Sequence, residues 1–115
     1  MPAPDGPVTE TGAPTRLDFE AVPWEEPLPK MRQKLIEQRG RRFRIVEFQH
    51  GFVEPGWCVR DHVGYVIEGR LEIAFAEHTE TYEAGDGLYI RGGPHHAHRA
   101  TALTDRALLF LYDMA

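Results

Sequence analysis

Three closely spaced histidines near the carboxyl end of the sequence are the first candidates for chemistry. Residues 85–98 read Gly-Asp-Gly-Leu-Tyr-Ile-Arg-Gly-Gly-Pro-His-His-Ala-His, so two glycine-rich turns flank a short apolar run. Residues two apart on a β-strand point to the same face, and we therefore expect His96 and His98 to present their imidazoles together. Imidazole is the commonest metal ligand and the usual acid–base group near neutral pH. The stretch predicts such a site or, alternatively, a solvated histidine-rich turn.

The elements that must position these histidines are short β-strands. After residue 30 the sequence alternates between runs of branched or aromatic residues and turns rich in glycine, proline and aspartate. The predicted strands are residues 30–37, 42–49, 57–60, 62–67, 70–76, 79–83, 88–91, 96–101 and 106–112. Their length and spacing predict an all-β barrel or jelly roll, without a helix after the N-terminal segment.

Residues 1–27 have a different composition, because they hold six of the nine prolines in the sequence. We interpret them as an extended N-terminal arm and residues 28–115 as one barrel domain. A tail that contacts nothing has little use for Phe19 and Trp24, so we expect residues 17–27 to dock on the barrel or on a neighbouring subunit, after a disordered start. The arm and the sheet edges together predict a homodimer.

Composition excludes several classes of protein. A chain of 115 residues with a mean hydropathy of −0.43 fits one soluble domain, and its longest apolar run, residues 107–112, is too short to span a membrane. The net charge of −5 argues against nucleic acid as a partner. The start of the sequence has no recognisable secretory signal, and a single cysteine forms no intramolecular disulfide. We therefore expect a cytoplasmic protein.

Two stretches resemble the small single-domain cupins of the RmlC-like superfamily. Residues 85–96 are similar to the second cupin motif, G-x5-P-x-G-x2-H, with Arg91 in place of its proline and His96 at its ligand histidine. Residues 62–73 resemble the end of the first motif, G-x5-H-x-H-x3/4-E-x6-G, and the hairpin that follows it. The resemblance covers about residues 28–112 and implies a double-stranded β-helix barrel, the cupin form of the jelly roll.

The first motif is incomplete in this sequence. His62 stands where the family has its glutamate ligand, and the two preceding histidines would fall in residues 56–59, which read Gly-Trp-Cys-Val. Cys58 is the only side chain there that can coordinate a metal, and we favour a small buried apolar role for it. The resemblance then implies a reduced ligand set, His62, His96 and His98, for a divalent ion such as Zn²⁺, Fe²⁺, Mn²⁺ or Ni²⁺.

Function remains open between two main alternatives. Neutral imidazoles leave a bound ion its charge, which would attract a carboxylate, a phenolate or an enediol. We therefore expect a metal-binding cupin, with a metal-dependent enzyme acting on a small polar molecule as the first hypothesis. The alternative is a non-catalytic cupin that binds or senses a small ligand and has lost its metal. A third hypothesis is a metal-free acid–base catalyst that uses a histidine as its base, which would need a carboxylate to orient that histidine. Arg60 either pairs a substrate anion or is a plain rim arginine, which we favour.

Overall fold

Two antiparallel β-sheets enclose one apolar core in the computed structural model, which describes residues 15–114. The strands are β1 (Glu25–Leu28), β2 (Met31–Gln38), β3 (Arg41–Gln49), β4 (His62–Glu68), β5 (Arg70–Ala74), β6 (Thr79–Glu83), β7 (Gly87–Ile90), β8 (Arg99–Ala102) and β9 (Arg106–Met114). One sheet has the order β1-β2-β3-β9-β4-β7 and the other the order β6-β5-β8. The predicted all-β jelly roll is confirmed.

Period-two burial explains why these segments form strands around a common core. On β3, Val46 and Phe48 are buried. On β9, Leu109 and Leu111 are buried, while Leu108 and Phe110, which alternate with them, lie on the outer side. Leu71 of the smaller sheet is fully buried against the same cluster. Burying branched side chains from both sheets is the main favourable contribution to such a fold. Neither 3-10 turn within residues 15–114 is long or apolar enough to cross a membrane.

The predicted strand at residues 57–60 is replaced by an irregular segment. Two isolated bridges, Val53 to Thr101 and Cys58 to His98, join this segment to β8 and its N-terminal neighbour. Pro55 lies between them and has no N–H to donate, so a regular ladder cannot continue through it.

The predicted strand at residues 96–101 begins three residues late. Pro94–His96 form a 3-10 turn after Gly93, whose φ is 107°, and β8 starts only at Arg99. Proline favours the first position of such a turn because its φ is fixed and its missing N–H is not needed there. The expectation that His96 and His98 share one strand face is therefore wrong.

The segment before β2 packs on the outer side of the barrel's own large sheet. β1 pairs with β2. The Arg32 guanidinium lies over the Trp24 ring, with its Cζ 4.4 Å from the ring centroid. The Lys34 ammonium donates to the Phe19 carbonyl at 2.9 Å. Docking therefore occurs on the chain itself, and β1 crosses the predicted boundary after residue 27, which stays a prediction. Most of the predicted disordered start, residues 1–14, lies outside the described residues.

Two glycines in hairpin turns provide a matched test of this topology. Gly69, between β4 and β5, has a φ of 81°, and a methyl group there would overlap the carbonyl oxygen of Arg106. Gly40 has a φ of 75° but open space around it. Because both substitutions force a left-handed backbone and only one also clashes, Gly40→Ala should lower the free energy of unfolding by about 1–2 kcal/mol and Gly69→Ala by about 3–5 kcal/mol. Urea denaturation measures both values, and equal losses would contradict the packing at Gly69.

Candidate metal centre

Three side chains that can ligate a metal converge inside the barrel. Cys58, His62 and His98 each offer one donor atom, and these atoms lie within 4.8 Å of one another. The Cys58 Sγ is 3.7 Å from the His62 Nε2. The two imidazole rings meet edge to face, with centroids 5.2 Å apart and planes at 80°. His62 and His98 are only 8% and 3% exposed, so both rings belong to the interior.

Backbone pairing brings the sulfur and one imidazole to the same place. The Cys58 amide donates to the His98 carbonyl at 2.8 Å, and the His98 amide donates to the Cys58 carbonyl at 3.0 Å. Residues that exchange both hydrogen bonds in an antiparallel pair project their side chains to the same face. His62 is the first residue of β4 and pairs with Ile90 of β7. The three donors therefore come from three different segments.

A backbone contact determines which nitrogen of His98 is available as a ligand. The His98 Nδ1 lies 3.1 Å from the carbonyl oxygen of His96. A carbonyl can only accept, so Nδ1 carries a proton, and Nε2 is the nitrogen left to hydrogen-bond the Cys58 sulfur or, once deprotonated, to ligate a metal ion. The His62 Nδ1 is buried and has no hydrogen-bond partner among residues 15–114. A hydrogen-bond acceptor behind the ring, such as the His96 carbonyl beside His98, is the usual way to orient a histidine that ligates a metal.

Mutual hydrogen bonding shifts the proton affinities of the group. The His62 and then the His98 side chains lower the pKa of Cys58 to about 5, against the opposing effect of burial. Burial by itself would lower the pKa of His98, but its contacts with the Cys58 sulfur and the His96 carbonyl outweigh burial and raise it. Cys58 is therefore a thiolate at neutral pH, which is the form that binds metal ions.

The three donors lie in the wall of a cavity of about 130 Å³. Most of the wall is apolar and comes from core residues such as Val46, Leu71 and Leu109. The polar part of the wall consists of Arg44, Glu54, Cys58, Arg60, His62 and His98. Burial raises the pKa of Glu54, even though the Ala100 amide donates to its Oε1 at 3.0 Å. An apolar pocket with a few convergent polar groups is typical of small-molecule sites.

The structure brings together two of the three histidines proposed from the sequence. His62 and His98 lie in the group, whereas His96 lies in the 3-10 turn and contributes its backbone carbonyl. Cys58 contacts His62 instead of packing as an apolar group, because its bridge to His98 turns the sulfur towards the imidazoles. Its position in the place of the missing first-motif histidines was the signal that could have identified it.

The spacing of the Cys58 and His62 donors is close to that of two ligands of a tetrahedral metal ion. Typical Zn²⁺ distances of roughly 2.3 Å to sulfur and 2.0–2.1 Å to nitrogen place the two atoms roughly 3.5 Å apart in a tetrahedron. The observed separation of the Cys58 Sγ and the His62 Nε2 is 3.7 Å. One thiolate and two imidazoles leave a fourth position for water or a ligand, as in catalytic zinc sites.

Residues 45–112 match the family model of the cupin domain. The chain belongs to the cupin family. Cupins commonly bind a metal ion and small-molecule substrates or ligands. No protein of curated function matches the sequence.

Solved structures with this cupin fold cover most of the chain. KdgF from Halomonas sp. is 23% identical, with a TM-score of 0.68 over 86% of this chain and 91% of that one. An RmlC-like cupin from Shewanella frigidimarina is 18% identical, with a TM-score of 0.72 over 90% and 93%. A cupin-superfamily sugar phosphate isomerase from Silicibacter pomeroyi is 14% identical, with a TM-score of 0.71 over 87% and 75%. At these identities the comparisons show the shared fold.

The lowered thiol pKa gives a testable pH dependence. In chelator-treated protein, the rate of Cys58 alkylation by iodoacetamide should be nearly flat between about pH 6 and 9, because the thiolate is already formed above a pKa of about 5. The His62→Ala variant should shift the midpoint of this profile upward, since His62 is the largest cause of the lowered pKa. Urea-unfolded protein is the control, and a parent rate that rises tenfold per pH unit over this range would contradict the contact.

Proposed function

We propose that this cupin binds a divalent metal ion through Cys58, His62 and His98 and acts on a small polar molecule in the adjoining cavity. The observation that carries the proposal is the convergence of three donor atoms within 4.8 Å at the cavity wall. A thiolate is a soft ligand and favours Zn²⁺, Fe²⁺ or Ni²⁺ over Mn²⁺. When bound, such an ion supplies Lewis acidity towards an oxygen of the ligand.

The chain's own residues prepare the site in three ways. The His96 carbonyl holds the His98 Nδ1 proton and so leaves Nε2 as the nitrogen that can bind a metal ion. The largely apolar wall lowers the local polarity of the cavity and so strengthens polar interactions with a bound ligand. Glu54 holds its proton to a higher pH than a free carboxyl group, because it is partly buried at the same wall. It is therefore the best-placed group to exchange a proton with a bound molecule.

A second candidate function is a cupin that binds a small ligand without catalysis and without metal. The observation that favours it is the Cys58–His62 contact, which is already a satisfied thiolate–imidazole pair. An apolar cavity of about 130 Å³ would then act as a plain ligand pocket. The two functions differ in whether the protein takes up a metal ion.

The predicted homodimer and cytoplasmic location remain proposals. Support for a dimer comes from an apolar pair on the outer side of the large sheet, where Val63 lies opposite Tyr89 in the β4–β7 ladder. These side chains are 47% and 71% exposed, and Tyr65 beside them is 50% exposed. Contact between two such faces would remove this apolar surface from water. A sedimentation mass equal to one chain would exclude the dimer.

Metal analysis of matched variants tests the main proposal. Protein prepared without a histidine tag should bind about one equivalent of Zn²⁺. Removal of a ligand by Cys58→Ala, His62→Ala or His98→Ala should weaken binding more than about 100-fold, since even the loss of a supporting group costs about 10–100-fold. His96→Ala is the matched control and should bind as the parent does, because only its carbonyl contacts the centre.

Two results would contradict the proposal. A parent that takes up none of Zn²⁺, Fe²⁺, Mn²⁺ and Ni²⁺ would favour the metal-free ligand-binding function. A loss of metal in His96→Ala as large as that in Cys58→Ala would instead support the ligand set that the sequence predicts.

A further inference from the structure

A buried arginine, Arg44, lines the cavity next to apolar core residues of its own strand. Arg44, Val46 and Phe48 alternate along β3, and all three line the cavity. The Arg44 residue is only 8% exposed. Charged side chains are almost never this deeply buried unless they are paired, because removing a guanidinium from water is costly. Its position therefore requires an explanation in terms of partners.

One carboxylate, that of Asp113, lies next to both arginines. Its Oδ1 is 3.5 Å from the Arg44 guanidinium and has no hydrogen-bond partner within residues 15–114, and its Oδ2 accepts a hydrogen bond from Arg60 at 3.2 Å. The Gln33 Oε1 accepts a further hydrogen bond from Arg44 at 3.2 Å. Asp113 is 2% exposed. Two guanidinium groups and one carboxylate give these three side chains a net charge of +1, which the Cys58 thiolate in the same wall partly offsets.

The protein itself does not satisfy Arg44 completely. Its Nε–H is buried and has no hydrogen-bond partner in the part of the chain that the structure describes. Burial lowers the pKa of Arg44, and the attraction of Asp113 only partly opposes this effect. An unpaired buried donor is unfavourable in the isolated protein, and an anionic ligand would satisfy it and add negative charge beside the two guanidinium groups.

We propose that Arg44 and Arg60 form a subsite that binds the carboxylate of a small organic acid in the cavity. The Nε–H and a terminal N–H of an arginine form a planar fork that matches the two oxygens of a carboxylate. Arg60, whose side chain is 46% exposed, also lines the cavity and supplies a second positive charge. The proposal names the ligand class for the function proposed above and rests on it only in placing the rest of the acid against Cys58, His62 and His98.

The size of the cavity favours a small acid. Its volume of about 130 Å³ is below the roughly 300–1,000 Å³ of most small-molecule sites. The apolar wall also disfavours a strongly hydrated dianion. These features favour a compact monocarboxylate over a sugar phosphate.

The test measures acetate binding to chelator-treated full-length protein, so that no metal contributes. Acetate is compared with its neutral analogue acetamide and with inorganic phosphate, at constant ionic strength. The readouts are a dissociation constant and the ¹⁵N-resolved Nε–H resonances of the arginines. We expect saturable acetate binding that moves the Arg44 Nε–H resonance, with weaker binding of acetamide and phosphate.

Three substitutions make the test specific. Arg44→Lys keeps the charge but removes the fork, and Arg60→Gln removes the second positive charge of the cavity wall. Each should weaken acetate binding at least about tenfold, because a charge-assisted hydrogen bond is lost. Arg70→Gln, at an exposed position of the small sheet, is the matched control and should bind as the parent does. If Arg44→Lys does not fold, Arg60→Gln at its half-exposed position still decides the question.

The failures of the two proposals are distinguishable. Equal binding of acetate and acetamide, tighter binding of phosphate, or acetate affinity unchanged in Arg60→Gln would overturn the carboxylate subsite. Arginine-dependent acetate binding in a protein that takes up no metal would support the subsite and contradict the metal centre.

Discussion

The reciprocal backbone hydrogen bonds between Cys58 and His98 are the interaction on which the rest of the site depends. They join the irregular segment that leads into β4 of the large sheet to the residue that precedes β8 of the small sheet. Within residues 15–114 this edge has no regular ladder, because Pro55 interrupts pairing between the two isolated bridges. The Glu54 amide donates to the Ala100 carbonyl and the Ala102 amide to the Phe52 carbonyl along the same edge, and the Cys58–His98 pair is the one that brings a thiolate against two imidazoles.

The interior combines a conventional apolar core with groups that a core normally excludes. Val46, Val66, Leu71 and Leu109 are fully buried and supply hydrophobic stabilisation. Arg44, His62, His98 and Asp113 are also buried and reduce that stabilisation unless they pair with one another or with a ligand. Local departures of this kind are concentrated at functional sites, where the surrounding fold offsets their cost. The proposed metal centre and the proposed carboxylate subsite are both built from these polar side chains.

The barrel could be predicted from the sequence because its signal is repeated in many strands. Alternation such as that of Leu71 and Ile73 in β5 is reinforced by each neighbouring strand. The site depends instead on single local events that carry no such repetition. The 3-10 turn at Pro94 removes His96 from the strand, so its side chain does not share a face with that of His98. Side chains alternate between the two faces of a strand, and one local irregularity is enough to break the predicted register. Cys58 faces His62 because of a long-range bridge that no local pattern encodes.

The origin of the three donors on separate segments has a consequence for folding. Cys58, His62 and His98 span 41 positions of the chain and belong to parts that lead into both sheets. An ion held by all three would act as a removable cross-link between the sheets, and the unfolded chain would have no comparable site. Its binding would then add to the free energy of unfolding, by about 4 kcal/mol at a free concentration of about 1,000 times the dissociation constant. For such a protein, metal supply and thermal stability would be one coupled quantity, and a chelator would act as a denaturant.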